Sequence, residues 1–288
     1  VPRFIDFLGE RNLTITVFIV GQDAALEKNH AALRSIAEAG HEIGNHSFKH
    51  EPWLHLYSEE EIEQEIAIAE YHIEEATGKK PIGFRGPGFS ISRSTLQVLA
   101  RRGYQYEAST FPTFLGPLAR AYYFMTSKLS QEEMEQRKAL FGTFGEGFRP
   151  LKPYQWQLNP GGLIEIPVTT LPIFKVPIHF SYLLYLSVFS PPLARLYFDM
   201  ALKLCRLTGT QPSLLLHPLD FLGGDDIPEL SFFPAMNLPG GKKLALLSKL
   251  VSLLSDQFTI VTMQEHAKLA TERFKLPRVE PRFRQVGA

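Results

Sequence analysis

An α/β fold is predicted by the alternation of strand-like and helix-like patterns along this 288-residue chain. Three observations carry the prediction. Residues 14–20 form a β-branched run, followed by a helical pattern over 27–39 that stops at Gly40, where a helix-ending glycine belongs. Ser58-Glu-Glu-Glu61 has the form of a capping box at the head of a long helix ending at Thr77-Gly78. Short apolar runs at 163–169, 213–217 and 258–261 then recur between helical stretches, as strands do in such chains.

Taken in order, residues 1–11 read as an amphipathic helix with Phe4, Ile5 and Leu8 inward and Asp6 solvated. The run at 14–20 is a strand, 27–39 a helix, and His41-Glu-Ile-Gly-Asn45 a second strand. The helix after Ser58 buries Ile62, Ile66, Ala69 and Ile73, which recur at helical spacing. Residues 90–102 form a further helix with Leu96 and Leu99 inward and Gly103 beyond its end; 244–254 and 264–273 are helical as well. After Lys275 the chain is rich in Arg and Pro without apolar periodicity, so 276–288 is expected to be an extended or mobile tail behind one domain over 1–275.

Three separate segments place titratable groups at the tip of a strand-like run. His46-Ser-Phe-Lys-His50 sets two imidazoles four residues apart, a spacing that lets both close on one divalent metal. Gly83-Phe-Arg-Gly-Pro-Gly-Phe89 delivers Arg85, and Ser213-Leu-Leu-Leu-His217 ends in His217. Singly, each has an ordinary structural explanation: a surface histidine pair, a solvated arginine in a turn, a satisfied core histidine. Their joint occurrence in this order matches how barrel enzymes gather a site from several strand ends.

These residues resemble the polysaccharide deacetylases with the NodB homology domain, carbohydrate esterase family four. The resemblance runs through Thr16-Val-Phe-Ile-Val-Gly21, Ala39-Gly-His-Glu-Ile-Gly-Asn-His-Ser47, Arg85-Gly-Pro87, Tyr104-Gln-Tyr-Glu-Ala-Ser-Thr-Phe-Pro112 and Leu215-Leu-His217. It leaves 113–159 and 173–207 as insert-like stretches. It implies a distorted (β/α) barrel of about seven strands and a divalent metal, Zn2+ first, held by one Asp and two His matching His46 and His50. His217 then matches the general acid, and Arg85 the arginine that braces the catalytic base. Pro87 and Gly88 would shape the groove wall, and Leu215 would line the pocket for the acetyl methyl. Two departures stand out. The family's Asp-Asp strand, which supplies the base and the carboxylate ligand, has no counterpart here, and the start inside a helix reads as an N-terminal truncation. Glu107 stands where the family has Asp.

The chemistry is consistent on its own terms. A divalent metal lowers the pKa of water and polarises a carbonyl, three protein ligands leave a position open, and a histidine near neutrality can protonate a leaving amine. A guanidinium stays charged, so Arg85 would fix a carboxylate instead of moving protons.

Composition bounds the rest. Hydrophobic residues at 44% supply a core for one barrel-sized domain, and 30 basic against 30 acidic side chains leave no basic stripe for nucleic acid. The single cysteine, Cys205, lies in a helical pattern and is expected to be a packed thiol. The stretch 111–160 carries Tyr122, Tyr123, Phe124, Phe141, Phe144, Phe148, Tyr154 and Trp156, of which Trp156 is the first candidate to stack on a sugar; covering the barrel is the plain alternative. The apolar stretch 174–190 is too short and too proline-bounded to span a bilayer. It is either a core helix or a surface that meets a membrane or lipid-linked sugar. The expected activity is removal of an N-acetyl, secondarily O-acetyl, group from a sugar of a polysaccharide or glycolipid. The alternatives are a deformylase or deacetylase of a lipid-linked amino sugar, and an inactive glycan-binding module. Sequence favours a cytoplasmic or membrane-associated location without deciding the compartment.

Overall fold

The computed structural model describes residues 1–116, 144–159 and 161–283. Chain contacts divide it into two compact units, Val1–Pro167 with Val261–Ala288, and Val168–Ile260, each taken by itself.

The first unit is built on a seven-stranded sheet in the order β1-β2-β3-β4-β6-β5-β7. The strands are β1 (Thr16–Ile19), β2 (Glu42–Asn45), β3 (Gly83–Phe84), β4 (Tyr106–Glu107), β5 (Tyr154–Gln157), β6 (Gly162–Glu165) and β7 (Arg278–Val279). From β1 to β4 and on to β6 every pairing is parallel, while β5 folds back antiparallel on β6 and β7 joins β5 in parallel. The helices are α1 (Pro2–Gly9), α2 (Gly21–Ala24), α3 (Glu27–Glu38), α4 (Glu59–Thr77), α5 (Arg93–Arg101) and, late in the chain, α9 (Met263–Arg273). The α/β class is as expected. Two of the strands were not: β5 comes from the insert-like stretch, and the extended end after Lys275 supplies β7.

Local sequence explains the helices. Ser58 accepts from the Glu61 backbone N–H while Glu61 reaches back to the Ser58 N–H, closing the capping box of α4. Gly78 ends the helix at φ +71°, a conformation that favours glycine. Ile62, Ile66, Ala69 and Ile73 are fully buried on its inner stripe.

Two glycines inside strands have a cross-strand cause. Phe18 is paired with Gly44, and Tyr106 with Gly83. A Cβ on Gly44 would lie 2.5 Å from the Phe18 ring, and one on Gly83 would lie 1.9 Å from that of Tyr106. Each glycine is the space its aromatic neighbour occupies. On one side of the sheet Ile19, Ile36, Ile43 and Ile73 pack together, and Phe84, Leu96, Leu99 and Leu163 form a second cluster. Tyr106, Ile166 and Ala267 of α9 form another with Phe18, Ile164 and Met263.

The second unit is helical: α6 (Phe180–Phe189), α7 (Pro191–Thr208) and α8 (Gly240–Ser255). Ser190 ends α6 and caps α7, with Pro191 at the first helical position. The expected strands at 213–217 and 258–261 do not form. Residues 213–217 have only scattered backbone partners, Thr169 N–H to the Ser213 carbonyl and Phe180 N–H to that of Leu215, and Phe258 contributes to an apolar cluster with Leu171 and Cys205. An apolar run can satisfy burial without a ladder. Cys205 is a free, buried thiol, pushed up to about 12 by burial. Tyr122, Tyr123, Phe124 and Phe141 lie outside the described residues.

Candidate functional site

Parallel pairing brings the C-terminal strand ends of the first unit into step. His46 N–H donates to the Ile19 carbonyl, Arg85 N–H to Asn45, Ala108 N–H to Phe84, and Ile166 N–H to Glu107. Each bond carries the ladder one residue past its strand, so His46, Arg85, Glu107 and Glu165 stand along a single edge of the sheet.

The segment 46–50 is held from three sides. Asn45 is buried; its Oδ1 accepts from Ser47 N–H at 2.9 Å, and its amide donates to Tyr104 Oη at 2.8 Å and to the Ile66 carbonyl at 3.2 Å. Glu65 of α4 accepts from the N–H groups of Phe48 and Lys49 at 3.2 and 2.9 Å. Gly21 and Gln22 N–H donate to the carbonyls of Ser47 and Phe48. Ser47 and His50 sit at φ +61° and +58°, which non-glycine residues adopt only under such restraint.

The two imidazoles predicted to share a metal are neighbours, their centroids 4.7 Å apart and nearly edge to face. His46 Nδ1 lies 2.5 Å from the Arg85 carbonyl oxygen. A carbonyl only accepts, so Nδ1 carries the proton and Nε2 the lone pair, the tautomer that a ligating histidine needs. The donor set thus fits a divalent ion of the zinc class to the extent of two nitrogen ligands. Among the described residues no group of three or more His, Cys, Asp or Glu is arranged to hold a metal.

Arg85 donates through Nε to the Ala108 carbonyl at 2.9 Å and lies 4.5 Å over the Phe18 ring. Its Nη2 is buried and, among the described residues, has no hydrogen-bond partner. Burial pushes the guanidinium down to about 10, so it remains charged at neutral pH. A buried cationic donor of this kind is suited to an anion that accepts from it. Pro87 is buried in a 3-10 turn, Pro87–Phe89, with Gly88 exposed at φ +57°.

Beside Arg85 stands a pair of carboxyls. Glu107 and Glu165 are paired across β4 and β6, both fully buried. Burial, then the charge of Glu107, holds Glu165 well above the usual carboxylate range. Glu107 also accepts from the N–H and hydroxyl of Ser109, whose Oγ receives the Gly86 N–H at 2.6 Å. Glu165 accepts from Thr110 N–H at 3.0 Å and from Trp156 Nε1 at 2.8 Å. Glu107 is thus an interior carboxyl. Glu165 was not singled out from sequence, although a carboxylate in an apolar strand was its signal.

Trp156 is corrected as well. It lies in β5 with no exposed surface, so its ring offers no face to a sugar. Phe144 and Phe148, 58% and 76% exposed and gathered on Phe114, face solvent.

His217 and Leu215 belong to the second unit. Leu215 is buried, while His217 is exposed. Its Nδ1 is 2.8 Å from Ser181 Oγ, and its backbone N–H donates to Asp220 Oδ2 at 2.8 Å. His179 lies 6.3 Å away between ring centroids, held down to about 4 by burial first and by His217 second. Asp220 had no signal in the sequence beyond its nearness to His217, and Ser181, 36 residues away, had none. In the stretch 174–190, Phe180, Leu183 and Leu184 are buried, whereas Phe174, Tyr185 and Phe189 are exposed. No helix among the described residues is long and apolar enough to cross a membrane.

The family model for polysaccharide deacetylase matches residues 1–107. A peptidoglycan deacetylase of Helicobacter pylori is 28% identical over 109 residues, 38% of this chain and 36% of that protein. A peptidoglycan-N-acetylglucosamine deacetylase of Bacillus cereus is 30% identical over 108 residues, 36% of this chain and 47% of that protein. The matches thus span between a third and a half of these relatives. A solved structure from Mycobacterium smegmatis, assigned to the polysaccharide deacetylases, covers 99% of this chain and 81% of its own with TM-score 0.64. At 20% identity it shows a shared fold.

Proposed function

We propose that this chain, whose residues 1–107 match the family model for polysaccharide deacetylase, is a metal-dependent hydrolase that removes an N-acetyl group from an amino sugar of a glycan such as peptidoglycan. The observation that carries the reading is His46, its Nδ1 fixed on the Arg85 carbonyl beside His50 at the C-terminal edge of a parallel sheet. His46 and His50 are the residues that would hold the metal, Zn2+ first. When bound, the ion would polarise the amide carbonyl and ready a water for attack at neutral pH.

The chain's own groups have definite parts in this reading. Arg85 holds a buried positive charge with an open donor where an anionic partner is to be fixed. His217, exposed to solvent, gives a proton to the departing amine. Pro87, Gly88 and Leu215 keep their proposed parts in binding substrate, the groove wall and the acetyl methyl; O-acetyl removal is the secondary chemistry.

The test is metal content and turnover together. His46→Ala and His50→Ala should each lose bound zinc and with it release of acetate from N-acetylated glycan fragments. Full zinc in the double variant overturns the ligand assignment; zinc without turnover on any acetylated glycan favours a glycan-binding module. A second reading, a lipid-linked sugar presented at a membrane, draws on Phe174, Tyr185 and Phe189, which face solvent. Flotation with anionic vesicles tests it, and protein that stays at the bottom of the gradient removes it.

A further inference from the structure

His217 is followed by a short 3-10 turn, Pro218–Phe221, and Asp220 of that turn folds back on it. Asp220 Oδ2 accepts twice, from the His217 backbone N–H at 2.8 Å and from Ser181 Oγ at 2.9 Å. Ser181 Oγ in turn lies 2.8 Å from His217 Nδ1. The order is therefore carboxylate, hydroxyl, imidazole. A carboxylate only accepts, so the single serine proton is committed to Asp220, and the serine oxygen offers only lone pairs to the ring. Nδ1 must then carry a hydrogen. This order differs from that of a serine nucleophile, where the imidazole sits between the other two and its lone pair faces the hydroxyl.

We propose that Ser181 is a positioning residue through which buried Asp220 sets the orientation and tautomer of His217, so that Nε2 is the atom that delivers the proton. The inference rests on the reading of His217 as the general acid and adds the residues that make it one. In the protonated ring both nitrogens carry hydrogen. As the carbon–nitrogen bond of the amide breaks, the Nε2 proton passes to the departing nitrogen, and the N–H electron pair stays on Nε2. What remains is the neutral Nδ1–H form, the one that Ser181 already holds.

The surrounding groups are compatible. Asp220 is 4% exposed. Burial raises its carboxyl, while the bonds from His217 and Ser181 and the charges of His217 and Lys243 lower it. Lys243 of α8 is itself buried, with Nζ donating to the Leu219 carbonyl at 2.7 Å. His179 accepts at Nδ1 from Tyr182 N–H and, held down to about 4, adds no charge beside His217 at neutral pH.

Nitrogen-15 spectra of the full chain, with His217 assigned by loss of its signals in His217→Gln, should show the neutral ring protonated at Nδ1. Ser181→Ala should move it toward the Nε2–H form and lower kcat about 10- to 100-fold with little change in KM, as loss of an outer-shell partner does. Ser181→Thr keeps the hydroxyl and should restore both. A wild-type ring protonated at Nε2, or a tautomer indifferent to Ser181→Ala, overturns the proposal. If Ser181→Ala does not fold, the wild-type and Ser181→Thr spectra still decide it. Absence of turnover in the wild type with the expected spectra would defeat the acid role of His217 while leaving the relay in place.

Discussion

The two edges of the parallel sheet carry the same kinds of residue and use them differently. At the N-terminal edge, Glu42 accepts from Tyr106 Oη at 2.6 Å, Thr16 Oγ1 at 2.5 Å and the Gln264 N–H at 3.0 Å, while Thr16 Oγ1 accepts from Met263 N–H at 2.7 Å. That carboxylate sits at the start of α9, where a helix welcomes negative charge. At the C-terminal edge, Arg85 keeps an unpartnered Nη2, Glu107 and Glu165 crowd two carboxyls into one buried place, and Ser47 and His50 hold left-handed backbone. A closed polar network specifies how a helix docks; an open one leaves groups ready for a ligand.

Perturbing each edge should therefore give opposite results. Glu42→Ala strands three donors and is expected to cost on the order of 3 kcal/mol, read as a lower denaturant midpoint at unchanged slope. Zinc content of the folded fraction should stay as it was. A loss below about 0.5 kcal/mol would show that the N-terminal network is not holding α9.

Arg85→Met should reverse the pattern. Removing a buried cation with an orphaned donor is expected to shift stability by less than about 1 kcal/mol, in either direction. Turnover should fall about 100-fold or more, as when an electrostatic donor is taken from a site. Bound zinc should persist, because His46 uses the backbone carbonyl of Arg85. A large loss of stability with turnover intact would make Arg85 structural and dissolve the contrast.

The subtlest effect is that of Glu165→Gln. A carboxyl whose folded pKa is raised contributes stability that is complete below the unfolded value, near 4.5, and is lost as pH rises through the folded one. The glutamine variant should then be the more stable protein at pH 8 and lose that advantage at pH 4. Parallel stability curves for the two proteins would mean that the fold does not raise the Glu165 carboxyl.

How far the chain could be read without coordinates follows the reach of each interaction. The capping box at Ser58, the stop at Gly78 and the stripe from Ile62 to Ile73 depend on neighbours within a few residues, and all were legible. The strand ends holding His46 and Arg85 were legible as well, because turn-forming residues follow them at once. Residues 213–217 misled because an apolar run records burial but not whether a partner strand lies beside it. Trp156 misled for a related reason: nothing local distinguishes an aromatic that covers a surface from one that donates to a buried carboxylate.

By itself, then, the amino-acid order determined the α/β class, the helices with their caps, and the His46–His50 pair, since these are set by periodicity and backbone geometry over single turns. Only the tertiary structure decided that Glu107 meets Glu165, that Arg85 keeps a donor in reserve, and that Ser181 stands between Asp220 and His217. Those contacts join residues far apart along the chain, and whether a buried polar group ends up paired depends on what strand register and packing bring to it.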